Sequence, residues 1–552
     1  MAADLCIGMD AWQTHRIPDA VPGPTAQVAG ATRKPAVVDV WWPGTDGSIE
    51  NATKIEGESS WRRSRVGGDG TTTPAGALAA LSRVENHLQV FWIAPDGAVN
   101  SAYWLEGAGG YTRSPVAPSG SANPQGGVAA VTRREDLMEV WWIGPAGSVE
   151  GAWWVLEDPK TWNRYQLAPA ASATPSSRVA AVSRLLGHME VFWTGPDSSA
   201  QAAFWYDAEP TWRAYELAPP GSVAGHGGIA AACRDADHMH VVWVGEVGTV
   251  ETASWASGGA WVRGQVAREW SAKPAAQVAA VSRDPKHLDV WWTGADGTVS
   301  HSSLSGDGWH EQLFPTPSGQ SDVGGIAAVS PFDEALHVWW VDAGGEVVGS
   351  RWFDEPIDVI VRYRGLICFG ETDWDQGSDS DEPYMVISVL RPDGVTSTVR
   401  SQIYNDVDDG ENRADLVELY RGPAYGIQLG MLLMEHDSGD ANAVRGQVDA
   451  AVKTASAIVT AAVTAGGGPL AGLAVGAALG AAGPSIVDAV NDALDTGDDP
   501  LGTQTRFLSR RELTDLVSAV RQYVDDVEFT FQSSLFTGDG ASYKACFDVV
   551  PA

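Results

Sequence analysis

VAAVSRDPKHLDVWWTGADGTVSHSSL, residues 278–304, decides the fold of the first two-thirds of this chain. A short apolar run, Val278–Val281, leads through Ser282-Arg283 into a turn carrying Pro285. A second run, His287–Trp292, ends at Gly294-Ala295-Asp296-Gly297, where glycine supplies a positive φ. A third run opens at Thr298 and a fourth near Trp309, so the unit reads as four antiparallel strands. The unit repeats: Trp42, Trp92, Trp142, Trp193, Trp243, Trp292 and Trp340 recur every 48 to 51 residues. Arg33, Arg83, Arg133, Arg184, Arg234 and Arg283 precede the first six tryptophans by nine residues, and Pro331 breaks the rule in the seventh unit. This period predicts a mainly β chain with a seven-bladed β-propeller over residues 1–355. The seventh unit, Gly325–Phe353, holds three strands; Ala11–Ile17, similar to Thr161–Leu167, is expected to supply the fourth and remove the open edges.

Alternation with period two sorts the side chains of each second strand onto two faces. Leu288, Val290 and Trp292 share one face, as do Met189, Val191 and Trp193, and this face reads as core. The opposite face carries His287, Asp289 and Trp291 in the sixth unit and His188, Glu190 and Phe192 in the fourth. It carries His87, Gln89 and Phe91 in the second unit, and His238, His240 and Val242 in the fifth. Paired hydrogen-bonding groups beside an aromatic ring suit a sugar, whose hydroxyls need donors and acceptors and whose apolar face stacks. The same residues equally suit a polar network that locks each blade to its neighbour, with the repeated arginine paired to the acid. Both uses can hold in different blades.

The pattern VAAVSRxxxHxEVFWxGxDGxV, followed by an A-x-W strand, is carried most fully by Ser183-Arg184, His188, Glu190, Phe192-Trp193 and Gly195. It resembles the Photorhabdus-type PLL family of seven-bladed propeller lectins, over about residues 1–355. The resemblance implies binding of fucose or O-methylated sugars, without catalysis, in pockets between neighbouring blades. It assigns sugar contacts to Arg83, His87, Gln89, Phe91, Arg184, His188, Glu190 and Phe192, and to Arg234, His238, His240, Arg283, His287, Asp289 and Trp291. The first unit departs from it at Val37 and Lys54, the third at Leu137 and the fourth at Ser198, while the seventh lacks both Arg and His. Not every pocket is therefore expected to work. Several weak pockets on one rigid body gain by avidity, which favours glycans on a cell surface over free sugar.

The chain has 552 residues, with 36 Lys plus Arg against 70 Asp plus Glu. A formal charge of −34 repels a phosphate backbone, so nucleic acid is not an expected partner. Of 25 tryptophans only Trp374 lies beyond residue 355, which sets the expected domains at 1–355 and 356–552. The start has no basic segment followed by a long apolar one, so no Sec signal peptide is read there, and a cytoplasmic or non-classically exported protein is expected. Cys6, Cys233, Cys368 and Cys546 are too scattered for a disulfide framework; a Cys368–Cys546 bridge stays open beside the reduced reading.

Beyond residue 356, Asp358–Arg364 and Met385–Leu390 read as strands, separated by the acidic loop ETDWDQGSDSDEPY (371–384). Two more acidic stretches follow, NDVDDGE (405–411) and LLMEHDSGD (432–440). The arrangement resembles a C2-type β-sandwich, although Asp381-Glu382-Pro383-Tyr384 is one residue longer than that family's Asp-Pro-Tyr. The resemblance implies calcium held by Asp373, Asp375, Asp381, Glu435, Asp437 and Asp440; otherwise these are solvated, turn-capping carboxylates. Ala455–Val487 is 33 residues without a charge, divided by Gly466–Pro469 into segments too short to span a bilayer singly. A helical hairpin is expected at about 442–495, packed on the sandwich or a partner, or entering a membrane as a pair. Ser509–Asp525 reads as an amphipathic helix and Tyr543–Val550 as a closing strand. Neither a Ser/His/Asp arrangement, a phosphate loop nor Cys/His metal spacing is found, so no enzyme is expected. The reading is a lectin with a C2-like accessory domain. Its alternatives are a protein-binding scaffold, whose hairpin mediates assembly, and a lectin-guided, membrane-active toxin or effector; a homo-oligomer stays open under each.

Overall fold

The computed structural model describes residues 12–23, 26–34, 37–55, 60–306, 308–312, 314, 324–331, 335–353, 357–370, 382–391, 395–436, 445–450, 499–538 and 540–552. These fall in two compact units, one running to residue 353 and one from residue 357.

The first unit is made of four-stranded antiparallel sheets, seven among the described residues. In the sixth, Val278–Asp284, His287–Thr293, Val299–Ser305 and Gly308–Gln312 pair in chain order. Its central hairpin turns at Gly297, φ +83°, while Asp296 Oδ1 accepts the Thr298 amide at 2.9 Å. That local bond, with a residue free to enter the left-handed region, is the reason for the Asp-Gly turn. Ser198 holds the same place in the fourth sheet at φ +62°, a conformation that costs a residue with a Cβ about 1–2 kcal/mol.

The second strand of each sheet is buried on both faces. Leu288, Val290 and Trp292 pack with Val242 and Val244 of the preceding sheet, whereas Trp291 packs with Leu336 and Trp340 of the following one. The recurring tryptophans, Trp42 to Trp340, are core residues, at most 2% exposed. An indole buries about 150–250 Å², worth roughly 4–6 kcal/mol before entropy is subtracted.

The seventh sheet comprises Ile326–Val329, Ala335–Val341 and Val347–Phe353, and its outer strand comes from the other end of the unit. Gln13–Arg16 pairs antiparallel with Val347–Phe353, Gln13 opposite Arg351 and Arg16 opposite Val348. First strands of successive sheets lie side by side, and Ile326–Val329 lies beside Ala29–Lys34, so the series closes on itself.

The second unit holds two larger antiparallel sheets. One runs Asn412–Pro423, Asp358–Gly370, Ala541–Pro551, Phe531–Gln532; the other runs Thr396–Arg400, Pro383–Leu390, Gly426–Glu435, Asp499–Ser509. Val361, Tyr363 and Phe547 of the first meet Met385, Ile387, Leu429 and Leu433 of the second in one hydrophobic cluster. One open question is answered here and one expectation, the helix Ser509–Asp525, is corrected. Cys368 and Cys546 are not bridged, because the register sets Cys368 opposite Tyr543 and Cys546 opposite Gly365. The helix spans only Arg510–Val517, started by a capping box between Ser509 and Glu512. Beyond it Gln522–Val524 pairs with Val527–Phe529 across Asp525, φ +48°, so alternation wins over helical period there. The expected hairpin at 455–487 lies outside the described residues. Among those described, no helix is long and apolar enough to cross a membrane.

Candidate functional site

Alternation along each second strand makes every junction between sheets two-sided. Met189, Val191 and Trp193 point toward the third sheet, into a cluster with Trp141 and Ile143. Phe192 points toward the fifth, into a cluster with Met239, Val241 and Trp243. Each junction therefore joins the polar–aromatic face of one sheet to the apolar face of the next.

The repeated arginines bind across these junctions. Arg33 lies 4.2 Å over the Trp104 ring, Arg133 4.5 Å over Trp205, Arg184 4.6 Å over Trp255 and Arg283 4.8 Å over Trp352. Arg83 is 5.4 Å from Trp154. Arg234 has Leu304 in that place; it donates to His240 Nε2 at 3.1 Å and to the Pro285 carbonyl at 3.0 Å.

At several junctions the polar face closes on itself. Arg133 Nε stands 3.2 Å from Glu139 Oε1, Trp141 Nε1 donates to Tyr165 Oη at 2.7 Å, and Trp212 meets Trp141 edge-on at 6.0 Å. Burial pushes Glu139 up to about 7, against the pull of Arg133, because desolvation outweighs the pair's attraction. Asp39, 3.5 Å from Arg33, is pushed to about 6 in the same way. Asp289 lies 3.5 Å from Arg283 and 2.9 Å from His301 Nε2; that imidazole stacks 4.7 Å from Trp291, and Trp12 closes the edge at 6.2 Å.

Among the described residues, open clefts lie at the junction of the second and third sheets and at that of the fourth and fifth. Between the second and third sheets, Arg83, His87 and Gln89 face Met138, Trp154 and Trp162 across about 170 Å³. Gln89 Nε2 donates to Ser101 Oγ at 2.9 Å, and burial followed by Arg83 pushes His87 down to about 4, leaving it neutral at pH 7. Between the fourth and fifth sheets, His188, Glu190, Tyr206 and Tyr215 face Trp255 and Trp261 across about 250 Å³. There the arginine is diverted: Arg184 donates to Tyr206 Oη and to the Ala236 carbonyl, both at 2.7 Å. Glu190 accepts instead from the Tyr215 hydroxyl and lies 3.4 Å from His188 Nε2. Burial, then the Glu190 charge, pushes the Tyr215 hydroxyl well above its usual range, so Tyr215 stays a donor.

The structure distributes the sequence-derived residues unevenly. Arg83, His87, Gln89, His188 and Glu190 line clefts. Phe91 and Phe192 are buried, each meeting the next sheet's tryptophan edge-on: Phe91 with Trp162 at 5.6 Å, Phe192 with Trp261 at 5.9 Å. Arg283, Asp289 and Trp291 belong to a closed network, and buried His240, pushed down to about 4 by burial and then by Arg234, pairs with that arginine. His238 and His287 each bond an aspartate three residues earlier, Asp235 at 2.8 Å and Asp284 at 2.6 Å, which fixes turns. The opposite walls, Trp154, Trp162, Trp255 and Trp261, were not anticipated as site residues. Two further periods carry them: Trp162 and Trp261 belong to Trp61, Tyr111, Trp162, Trp212, Trp261 and Trp309, at 48 to 51 residues, and Trp154 and Trp255 to Trp104, Trp154, Trp205 and Trp255, at 50 to 51. Of the expected calcium ligands, Glu435 ends the strand Gly426–Glu435 opposite Pro383. Asp373, Asp375, Asp381, Asp437 and Asp440 lie outside the described residues.

No protein-family model matches the chain, and no curated protein matches it. Among solved structures, the BP39L lectin from Burkholderia pseudomallei is similar at 20% identity and a TM-score of 0.54, over 59% of this chain and 96% of that one. That likeness is one of fold. SapL1 lectin in complex with alpha methyl fucoside is more distant, at 16% identity and a TM-score of 0.41 over 54% of this chain and 98% of its own. The Aleuria aurantia lectin, described as a six-bladed β-propeller, also has 16% identity and a TM-score of 0.41, over 54% and 99%.

Proposed function

We propose that the first unit is a seven-bladed β-propeller that binds carbohydrate in clefts between neighbouring blades. The observation that carries this reading is the pair of clefts themselves. Each sets hydrogen-bonding groups two residues apart on one wall, His87 with Gln89 and His188 with Glu190, against indole rings on the other. Sugar hydroxyls engage the first wall, and the apolar face of a pyranose lies on the second. The BP39L protein, whose fold this unit shares, is by its own description a lectin, which supports the same use here. Fucose-like or O-methylated sugars are the proposed ligands. Met138, Leu156 and Pro159 give the cleft between the second and third sheets an apolar end that suits a methyl group. Two clefts on one body make the second contact nearly intramolecular, which favours a surface dense in glycans. A glycan array with the full chain tests the proposal. Saturable binding to fucosylated or methylated glycans, lost in a folded Gln89→Ala/Glu190→Ala variant, is expected; a blank array from folded protein overturns it.

A further inference from the structure

The two clefts differ in charge and in the number of rings. The one between the second and third sheets is lined by Arg83 and the neutral Gln89. The one between the fourth and fifth is lined by Glu190 and by five rings: Phe204, Tyr206, Tyr215, Trp255 and Trp261. These rings are not stacked flat. Phe204 meets Tyr206 at 68° and 5.7 Å, and Tyr215 at 55° and 6.1 Å, while Trp255 and Trp261 come from the neighbouring sheet. Ring faces are negative and attract cations, most strongly where water is excluded. Arg184 already lies 4.6 Å over Trp255 and 5.8 Å from the Tyr206 ring, so these walls accept a cation.

We infer that the cleft between the fourth and fifth sheets is an aromatic cage for a small quaternary trimethylammonium cation, with Glu190 as its counter-charge. A quaternary nitrogen donates no hydrogen bond, so it leaves the Tyr215 hydrogen bond to Glu190, and the 3.4 Å contact of His188 with it, in place. A volume of about 250 Å³ suits a headgroup, falling below the roughly 300–1,000 Å³ of drug-sized pockets. The inference narrows the sugar reading at one cleft, and it rests on that reading only in treating the cleft as a ligand site.

Calorimetry on the full chain with choline and with 3,3-dimethylbutan-1-ol, its uncharged counterpart, is the test. Choline is expected to bind at least tenfold more tightly than the alcohol, and Glu190→Gln, which keeps an acceptor for Tyr215, removes that preference. Phe204→Leu, at a half-buried ring, weakens choline without changing the melting temperature, which covers the case in which Glu190→Gln does not fold. Phosphatidylcholine vesicles run alongside identify the source: binding to both vesicles and choline assigns a lipid headgroup, and binding to choline alone assigns a free or glycan-borne cation. Equal affinity for the alcohol, or no choline binding by folded protein, overturns the cage. A blank glycan array beside intact choline binding would remove the sugar reading and leave the cage standing.

Discussion

Glu139 and Glu190 occupy the same place in successive sheets, each six residues after an arginine, yet their surroundings are opposite. At the junction of the third and fourth sheets Arg133 takes Glu139, and the Trp141 indole reaches across to Tyr165. At the next junction Tyr206 stands where the third sheet has Val155, and it draws Arg184 away. Phe192 stands where the third sheet has Trp141, and a cleft remains. The difference teaches that a cleft in this repeat arises by withdrawing a clip rather than by adding a new group. One neutral or diverted partner and one smaller ring turn a lock into a pocket.

The largest test of that contrast is to cut both arginines. Arg133→Met removes the partner of both Glu139 and Asp207 and the cation over Trp205, and the loss of these contacts together is expected to lower unfolding stability by about 3 kcal/mol. Arg184→Met, which breaks no acid pair, costs about 1 kcal/mol; denaturant midpoints with unchanged slopes decide, and equal losses would erase the distinction.

Next in size is the pH response. Glu139, raised from 4.5 to about 7, holds its proton more tightly folded than unfolded. Its contribution is full below pH 4.5 and is lost as pH rises through about 7. His87, lowered from 6.5 to about 4, has the other sign: its contribution is present above pH 6.5 and lost as pH falls through about 4. From pH 7 to 4.5, wild type should therefore gain on the order of 2 kcal/mol relative to Glu139→Gln, and lose a similar amount relative to His87→Gln. Urea titrations across that range read both.

A smaller change should convert one junction toward the other. Phe192→Trp places the larger indole beneath the fourth–fifth cleft and is expected to weaken ligand binding there at least tenfold. The cost in stability is about 1–2 kcal/mol, and binding at the second–third cleft should not change. Ser198→Gly is the smallest: relieving the φ of +62° in the hairpin that carries the Ala200–Tyr206 wall should add about 0.5 kcal/mol, seen as a small rise in melting temperature.

Much of this frame could be read from residues alone. The tryptophan period, the four strands of each unit, the strand Gln13–Arg16 and the two-faced second strand all follow from local alternation. The partner of each arginine did not, because Arg133 and Arg184 have the same spacing to their acids and are separated only by Tyr206 on a third strand. The tryptophan walls escaped for a related reason. Trp154 and Trp255 meet Arg83 and Arg184 from the next unit, beyond the reach of a pattern confined to one unit. Phe91 and Phe192 share a face with polar groups, which by itself points to ligand contact; their burial by the neighbouring sheet's Trp162 and Trp261 is a tertiary fact. The Arg510–Val517 helix shows the reverse, a sound start signal with no local mark of where it stops.

The pairing of Gln13 with Arg351 has a consequence for how this unit comes to be. The two residues are 338 positions apart, so joining them in an otherwise open chain costs about 5 kcal/mol of closure entropy. During synthesis the earliest strand must wait, unpaired, until nearly all of the unit has been made. Folding of such a unit is limited by its most non-local contact, and the waiting strand meets the same edge of another copy on equal terms. Concentrated refolding should therefore exchange Gln13–Arg16 between molecules, whereas dilution returns it to its own seventh sheet.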